Sequence, residues 1–361
     1  MKNIVIVIDS LSGGGAERVM ISLATELVQQ GHKLTILSLS SRRDYDIPKN
    51  ITVDYLFNGK ASKIDRFWRI KSSVRRLESW FNNAQVNTKP FDLVLSNLDR
   101  SNNLLCKSNV SFVYYIVHNS IEEELKRQKK LGPLAYWYLF KSKKNLNQKK
   151  LISVSKGIAE EINRSSLITP DEIKTIYNPF DIEDIQEKAS IENDAIPTDP
   201  YIIHVGRLAK QKRHDVLFEA FSKVNTNVKL VLLCNKPNKA LTLAKKYGIE
   251  ERVILPGFQS NPYNWIKQAK ALVLSSDYEG FGNVLVEAII SETKIVSVDC
   301  PHGPNEILTG DLAQYLVPRR NPEKLAKAIN QVLMDKIKLD NAEILTKVNA
   351  KHIAMQYLSL I

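Results

Sequence analysis

Two glutamates stand eight positions apart in the stretch SSDYEGFGNVLVEAIIS (275–291): Glu279 in a turn beside Gly280 and Gly282, and Glu287 in the apolar run that follows. Close acids are candidates for paired acid–base work. Glycoside hydrolysis places its two carboxyl groups about 5–5.5 Å apart for retention and about 6.5–9.5 Å apart for inversion. Eight helical steps rise ~12 Å, so the spacing gives no support for a hydrolytic pair. It suits two acids that hold hydroxyls on either side of an anion. The turn around Phe281 and Gly282 leads into a helical pattern, and the free N–H groups of Asn283 and Val284 at its start would point at such an anion.

Cations stand ready for the same charge. The run YIIHVG reads as a strand and is followed by RLAKQKRHDVLFEAF, with Arg207 and Lys212 between the strand and the next helix. Two cations at the carboxyl end of a strand, beside a helix start, form a diphosphate site. A second glycine-rich turn, SLSGGGAERV (10–19), joins the first strand to the first helix through Gly13, Gly14 and Gly15. It lacks the G-x-G-x-x-G spacing of a dinucleotide fold, and it reads as a loop that touches an acceptor or a donor phosphate. Taken alone, a solvated basic turn and a plain tight turn account for these two segments as well.

The elements that must position these residues alternate along the chain. IVIVID (4–9), KLTILSLS (33–40), ITVDYLF (51–57), DLVLSNL (92–98), FVYYIVHN (112–119), LISVSK (151–156) and IKTIYN (173–178) read as strands. After the acidic, proline-containing segment IENDAIPTDP (191–200), read as a boundary, the rhythm restarts with YIIHVGRL, KLVLLC, RVILPGF, ALVLSS and KIVSVD. Helical patterns lie between the strands and continue from about residue 322. Apolar runs without strict alternation predict parallel sheets covered on both faces. The expected fold is α/β, with two doubly wound, Rossmann-like domains facing a central cleft and ligands outside the carboxyl ends of the strands. The expected domains are residues 1–180, residues 181–345, and a C-terminal helix at 346–361 that crosses back to the first domain.

Composition excludes some classes. No apolar run approaches the roughly 18–20 residues that span a bilayer, and MKNIVIVID reads as a first strand and not a secretion signal. Cys106, Cys234 and Cys300 show no metal or redox spacing and read as buried small hydrophobes in a reducing cytoplasm. The net charge of +12 is one-sided: residues 1–180 carry +11 and residues 181–361 carry +1. Two stretches concentrate it, KASKIDRFWRIKSSVRRLESWF (60–81) and LGPLAYWYLFKSKKNLNQKK (131–150). In the first, Ile64, Phe67, Trp68, Val74, Leu77 and Trp80 fall near one helical stripe, among Lys60, Lys63, Arg66, Arg69, Arg75 and Arg76. Basic helices with tryptophan suit an anionic bilayer surface. The same apolar faces also serve to cover a sheet. No recognition-helix signature supports nucleic acid as the partner.

Taken in order, SLSGGGAERV, VGRLAKQKRHDVLFEAF, LPGFQSNPYNWIKQAKALVLSSDYEGFGNVLVEAII and VDCPHGPNEIL resemble a family 4 retaining glycosyltransferase of the GT-B fold, of the kind that builds bacterial O-antigen, capsule or lipooligosaccharide. The resemblance spans nearly the whole chain and is strongest over 201–310; two glutamates with seven residues between them are a family signature. It implies a nucleotide-sugar donor, UDP-linked, bound by the second domain, and a lipid-linked oligosaccharide acceptor bound by the first. It places Glu279 on the donor sugar, Glu287 on the ribose hydroxyls and Arg207 and Lys212 on the diphosphate. Phe281, Gly282, Asn283 and Val284 match the loop whose backbone meets the phosphates and sugar. His118, at the end of FVYYIVHN, matches a histidine near the transferred sugar; by itself it reads as a strand-end histidine with its hydrogen bonds satisfied. No metal is required and no cofactor is implied, and the enzyme is expected in the cytoplasm at the inner face of the cell membrane. Departures at NKPNK, SETKIV and GDLAQYLV fall where relatives carry glycines or prolines, so no base-contacting residue is assigned. The alternatives are a GT-B-like sugar-nucleotide epimerase and a non-catalytic sugar-nucleotide binder.

Overall fold

The runs that lack polar alternation are the ones the structure encloses. In this computed structural model, which describes residues 1–59, 64–86, 89–336, 339 and 343–361, Ile4–Ile8 and Leu230–Leu232 have no exposed surface at all. Strands buried on both faces belong to parallel sheets packed between helices. By compactness the chain forms two units, Met1–Phe180 with Val348–Ile361, and Asp181–Lys347.

The first unit holds β1 (Asn3–Ile8), β2 (Lys33–Ser40), β3 (Thr52–Phe57), β4 (Leu93–Asn97), β5 (Val113–Val117), β6 (Lys150–Ser153) and β7 (Glu172–Thr175). Their order is β3-β2-β1-β4-β5-β6-β7, with every pair parallel. The second unit holds β8 (Tyr201–Val205), β9 (Lys229–Leu233), β10 (Val253–Ile254), β11 (Ala271–Leu274), β12 (Ile295–Asp299) and β13 (Leu316–Pro318). Their order is β10-β9-β8-β11-β12-β13, again all parallel. Each sheet is doubly wound, as the alternation predicts. The order reverses between β1 and β4 in one unit and between β8 and β11 in the other, and such reversals open a ligand crevice at the carboxyl ends of the strands.

Local chemistry trims or adds to the expected elements. β6 stops at Ser153 because Ser155 caps the helix Lys156–Arg164, its Oγ accepting from Ile158 N. RVILPGF yields only Val253–Ile254, since Pro256 lacks an N–H and Gly257 has φ +85°. β13 was not expected; its three residues are too short to show a period. The segment 191–200 lies within the second unit, where Asn264 Nδ2 donates to Ile191 O at 3.1 Å. At the end of the chain Phe180 N donates to Val348 O and Ala350 N to Phe180 O, and the helix Ala350–Leu358 packs on the helix Gly15–Gln29.

The single helical stripe expected over 60–81 is not what forms. Lys60 and Lys63 lie outside the described residues. The helix runs from Ile70 to Val86, and residues 64–69 are turns. Ser73 Oγ donates to Ile64 O at 2.8 Å, folding the turn back over the helix start. Ile64, Val74 and Leu77 point inward, while Phe67 and Trp68 stand exposed.

Candidate active site

In the second unit, the loops after β8 and β11 meet at the point of reversal. After β8 the chain passes Gly206 and Arg207, makes a 3₁₀ turn over Lys210–Lys212, places Arg213 in the left-handed region (φ 49°) and enters the helix His214–Ser222. After β11 it passes Glu279 and reaches Gly282, whose φ of +92° suits glycine, before the helix Asn283–Ile290. Three hydrogen bonds of 2.8 Å tie the loops together: Ser275 Oγ to Lys212 O, Asp277 N to Gln211 O, and Gln211 Nε2 to Tyr278 O.

Within this frame Lys212 Nζ meets Glu279 Oε1 at 2.7 Å, with side chains 19% and 10% exposed. Ser276 Oγ donates to the same carboxylate oxygen. Arg213, adjacent to Lys212, has a different role: its guanidinium is held by Asp215 at 2.8 Å and by Asp277 at 3.0 Å. Arg320 shares Asp277 at 2.7 Å. Arg207 is exposed and has no hydrogen-bond or ion-pair partner among the described residues. Asn283 and Val284 open a helix whose first turn carries no acid, Phe281 is buried, and Glu287 lies buried further along the same helix.

The segment after β12 completes the loop. Glu279 N donates to Pro301 O at 2.7 Å, and His302 N donates to Glu279 O at 3.1 Å. Gly303 has φ +98°, and a Cβ there would lie 1.9 Å from Phe281 O. Only glycine fits. Beneath the loops, the buried rings of His204 and His214 pack edge to face at 4.8 Å, and His204 Nδ1 donates to Val273 O at 2.8 Å. Burial holds both imidazoles below their usual range, His214 at about 4, and the Lys212 cation adds to the effect.

In the first unit, His118 follows β5 and its Nε2 lies 2.8 Å from Asn97 Oδ1 at the end of β4. Nearby, Lys143 Nζ is held by Asp99 at 2.6 Å and Glu124 at 2.8 Å. Burial works against the Lys143 charge, but the two carboxylates outweigh it and push its pKa up. Asp9, at the end of β1, accepts from Ser101 N at 2.8 Å and from Ser101 Oγ at 2.9 Å; burial raises it to about 6. Gly13–Gly15 lead into the helix Gly15–Gln29, where the Glu17 carboxylate lies close over Gly14.

Of the residues singled out in the sequence, the structure pairs Lys212 with Glu279, sets Arg207 on the same loop as Lys212, and places Asn283, Val284 and Glu287 on the helix after Glu279. His118 and Gly13–Gly15 stand in the other unit, at the ends of β5 and β1. Sequence reasoning missed Ser276, Gln211, Gly303 and Asn97. Gly303 had a signal, since it sits in the quoted segment VDCPHGPNEIL; the other three are common polar residues whose partners come from other elements.

The Glycosyltransferase Family 4 description matches residues 13–184, and the Glycosyl transferases group 1 description matches residues 185–347. The chain belongs to these glycosyltransferases. A relative from Campylobacter jejuni, N-acetylgalactosamine-N,N'-diacetylbacillosaminyl-diphospho-undecaprenol 4-alpha-N-acetylgalactosaminyltransferase, is 26% identical over 350 residues, covering 93% of this chain and 91% of the relative. Among solved structures, sucrose-phosphate synthase from Thermosynechococcus elongatus matches this glycosyltransferase with a TM-score of 0.81 at 16% identity, over 99% of this chain and 98% of that one. Anabaena HepE in complex with UDP and glucose matches with a TM-score of 0.72 at 16% identity, over 99% and 98%. These two likenesses concern the GT-B fold.

Proposed function

We propose that this glycosyltransferase moves a hexose or N-acetylhexosamine, with retention, from a UDP-sugar to a lipid-linked bacterial surface glycan. The observation that carries the reading is the Lys212–Glu279 pair, 2.7 Å apart, at the chain reversal of the second unit. Breaking the bond between sugar and diphosphate builds negative charge on the β-phosphate. Fixed cations and N–H dipoles lower that barrier because they need no rearrangement as the charge appears. Arg207, Lys212 and the N–H groups of Asn283 and Val284 supply them. Glu279 orients Lys212 and takes a hydroxyl of the donor sugar; Glu287 grips the ribose hydroxyls; the backbone at Phe281 and Gly282 borders the phosphates and sugar. With these cations in place the reaction needs no metal. The acceptor hydroxyl attacks from the face the diphosphate leaves, and a phosphate oxygen takes its proton. His118 orients the sugar, and Gly13–Gly15 border the acceptor.

The Campylobacter relative's name includes a diphospho-undecaprenol acceptor and an N-acetylgalactosaminyl group, which supports a lipid-linked acceptor and makes UDP-N-acetylgalactosamine the first donor to try. A panel of UDP-sugars offered with lipid-linked oligosaccharide tests this. The expected result is UDP release that depends on acceptor. Sugar epimerisation, or binding without turnover, would replace the reading with one of the two alternatives.

Such an acceptor puts the enzyme at the inner face of the cell membrane, and the first unit has a surface for it. Phe67 and Trp68 are 84% and 58% exposed, and Leu134 and Trp137 are 84% and 57% exposed. Arg66 lies over the Tyr138 ring at 4.5 Å and Asp65 accepts from Tyr138, which brings the turn and the helix Pro133–Lys144 together. Arg69, Lys129, Lys130 and Lys141 surround the apolar group in sequence. Basic rims with aromatic tips suit anionic lipid. Vesicles containing anionic lipid should bind the protein, salt should weaken the binding, and serine at 67, 68, 134 and 137 should weaken it about tenfold or more. No binding at low salt would refute the membrane reading.

A further inference from the structure

We infer that Asn97 is a positioning residue that locks His118 in the tautomer with hydrogen on Nε2, so that Nδ1 presents a lone pair to a hydroxyl of the bound substrate. The side chain of Asn97 has no exposed surface. Its Nδ2 donates to Leu95 O at 3.2 Å, which fixes the amide's orientation and turns Oδ1 toward the His118 ring, 2.8 Å from Nε2. A carbonyl oxygen can only accept, so Nε2 must carry the hydrogen. Nδ1 has no hydrogen-bond partner among the described residues.

The surroundings keep the ring neutral. Burial and the Lys143 cation, on the helix Pro133–Lys144, disfavour the imidazolium; Asp99, after β4, favours it, but Lys143 holds Asp99 at 2.6 Å and Glu124, from the helix Ile121–Lys129, at 2.8 Å. The balance holds His118 at about 4. A neutral ring with its only N–H committed to Asn97 accepts a hydroxyl hydrogen at Nδ1 and cannot donate one. The inference rests on the proposed place of His118 beside the transferred sugar, and it adds that His118 selects a hydroxyl donor.

Nitrogen-15 NMR of histidine-labelled wild-type protein, with the His118 signals assigned by their loss in His118→Phe, reads the tautomer directly. The expected state is Nε2–H, unprotonated at Nδ1, from about pH 5 to 8. A ring with hydrogen on Nδ1, or a protonated ring at neutral pH, would overturn the inference. Asn97→Asp supplies a second reading: its carboxylate should raise the ring's pKa by about one to three units. The acid limb of the pH–kcat profile should move up to match, with kcat down about tenfold at pH 5, within about twofold of wild type at pH 7, and donor KM within twofold. Asn97→Leu should lower kcat about tenfold at both pH values without moving that limb. An acid limb unchanged in Asn97→Asp would also sink the idea. If wild-type protein transfers no sugar at all, the proposed function fails, while the tautomer is still decided by NMR.

Discussion

After β8 and β11 the second unit presents Arg207, Lys212 and a helix start without an acid in its first turn. After β1 and β4 the first unit presents Asp9, Asn97 and a helix start already faced by its own Glu17. The two sheets share one order over their first six strands, with β7 added in the first unit, and place their loops at the same kind of reversal. A helix start without an acid in its first turn suits an anion; a helix start covered by its own carboxylate repels anions and suits neutral hydroxyls. On the proposed function, one topology serves a diphosphate in one unit and a sugar alcohol in the other, and the choice is made by a few side chains in loops.

The contrast can be broken in several places. Lys212→Ala should lower kcat/KM by about 10²–10³, the size lost with one preplaced donor to a developing oxyanion; transfer within twofold of wild type would remove Lys212 from the scheme. Gly303→Ala must move the Phe281 carbonyl and should cost about 3 kcal/mol in urea unfolding, with donor binding lost alongside. A cost below about 0.5 kcal/mol would show that the segment after β12 yields freely. Asn283→Asp copies the covered helix start of the first unit into the second. It should weaken UDP binding about tenfold by calorimetry, whereas Glu17→Gln should leave UDP binding within twofold.

Acid should separate the units more gently. The pKa values of His204 and His214 are lowered by burial from 6.5, so their stabilisation is complete above about pH 6.5 and is lost as pH falls toward 4. Each lowered histidine costs up to about 1.4 kcal/mol per pH unit in that window. In the first unit His118 acts in the same direction, but Asp9, raised from 3.8 to about 6, acts in the other: its contribution is present at low pH and lost as pH rises through 6. The second unit should therefore weaken first on acidification from pH 6.5 to 4.5, read by the fluorescence of Trp265 there against Trp80 in the first unit. Equal acid sensitivity would refute this account.

Much of the fold was legible because buried parallel strands leave uninterrupted apolar runs, and IVIVI and KLVLL need no partner to be recognised. β13 and the shortened β10 were not legible, since two or three residues carry no period. At the site, Glu279, Glu287 and the run RLAKQK stood out in the sequence, and the structure brings the loops that carry Lys212 and Glu279 together. What the sequence could not show is that, of the neighbours Lys212 and Arg213, one faces Glu279 while the other is bound by Asp215 and Asp277. That division depends on the left-handed turn at Arg213, which sends adjacent side chains different ways. Asn97 was invisible for a similar reason, because its partner His118 lies just past the end of a neighbouring strand. Phe67 and Trp68 were placed on one helical stripe with Val74 and Leu77 because the pattern was extended through a turn.

The chain leaves the first unit after Phe180 and re-enters it at Val348, and those two residues are hydrogen-bonded, Phe180 N to Val348 O at 2.8 Å. Asp181–Lys347 is therefore an insert whose two ends emerge side by side. A gene segment with that property can be lifted out, closed with a few residues or exchanged for a cousin's without stretching the host. The paired ends at Phe180 and Val348 are a ready seam for recombination.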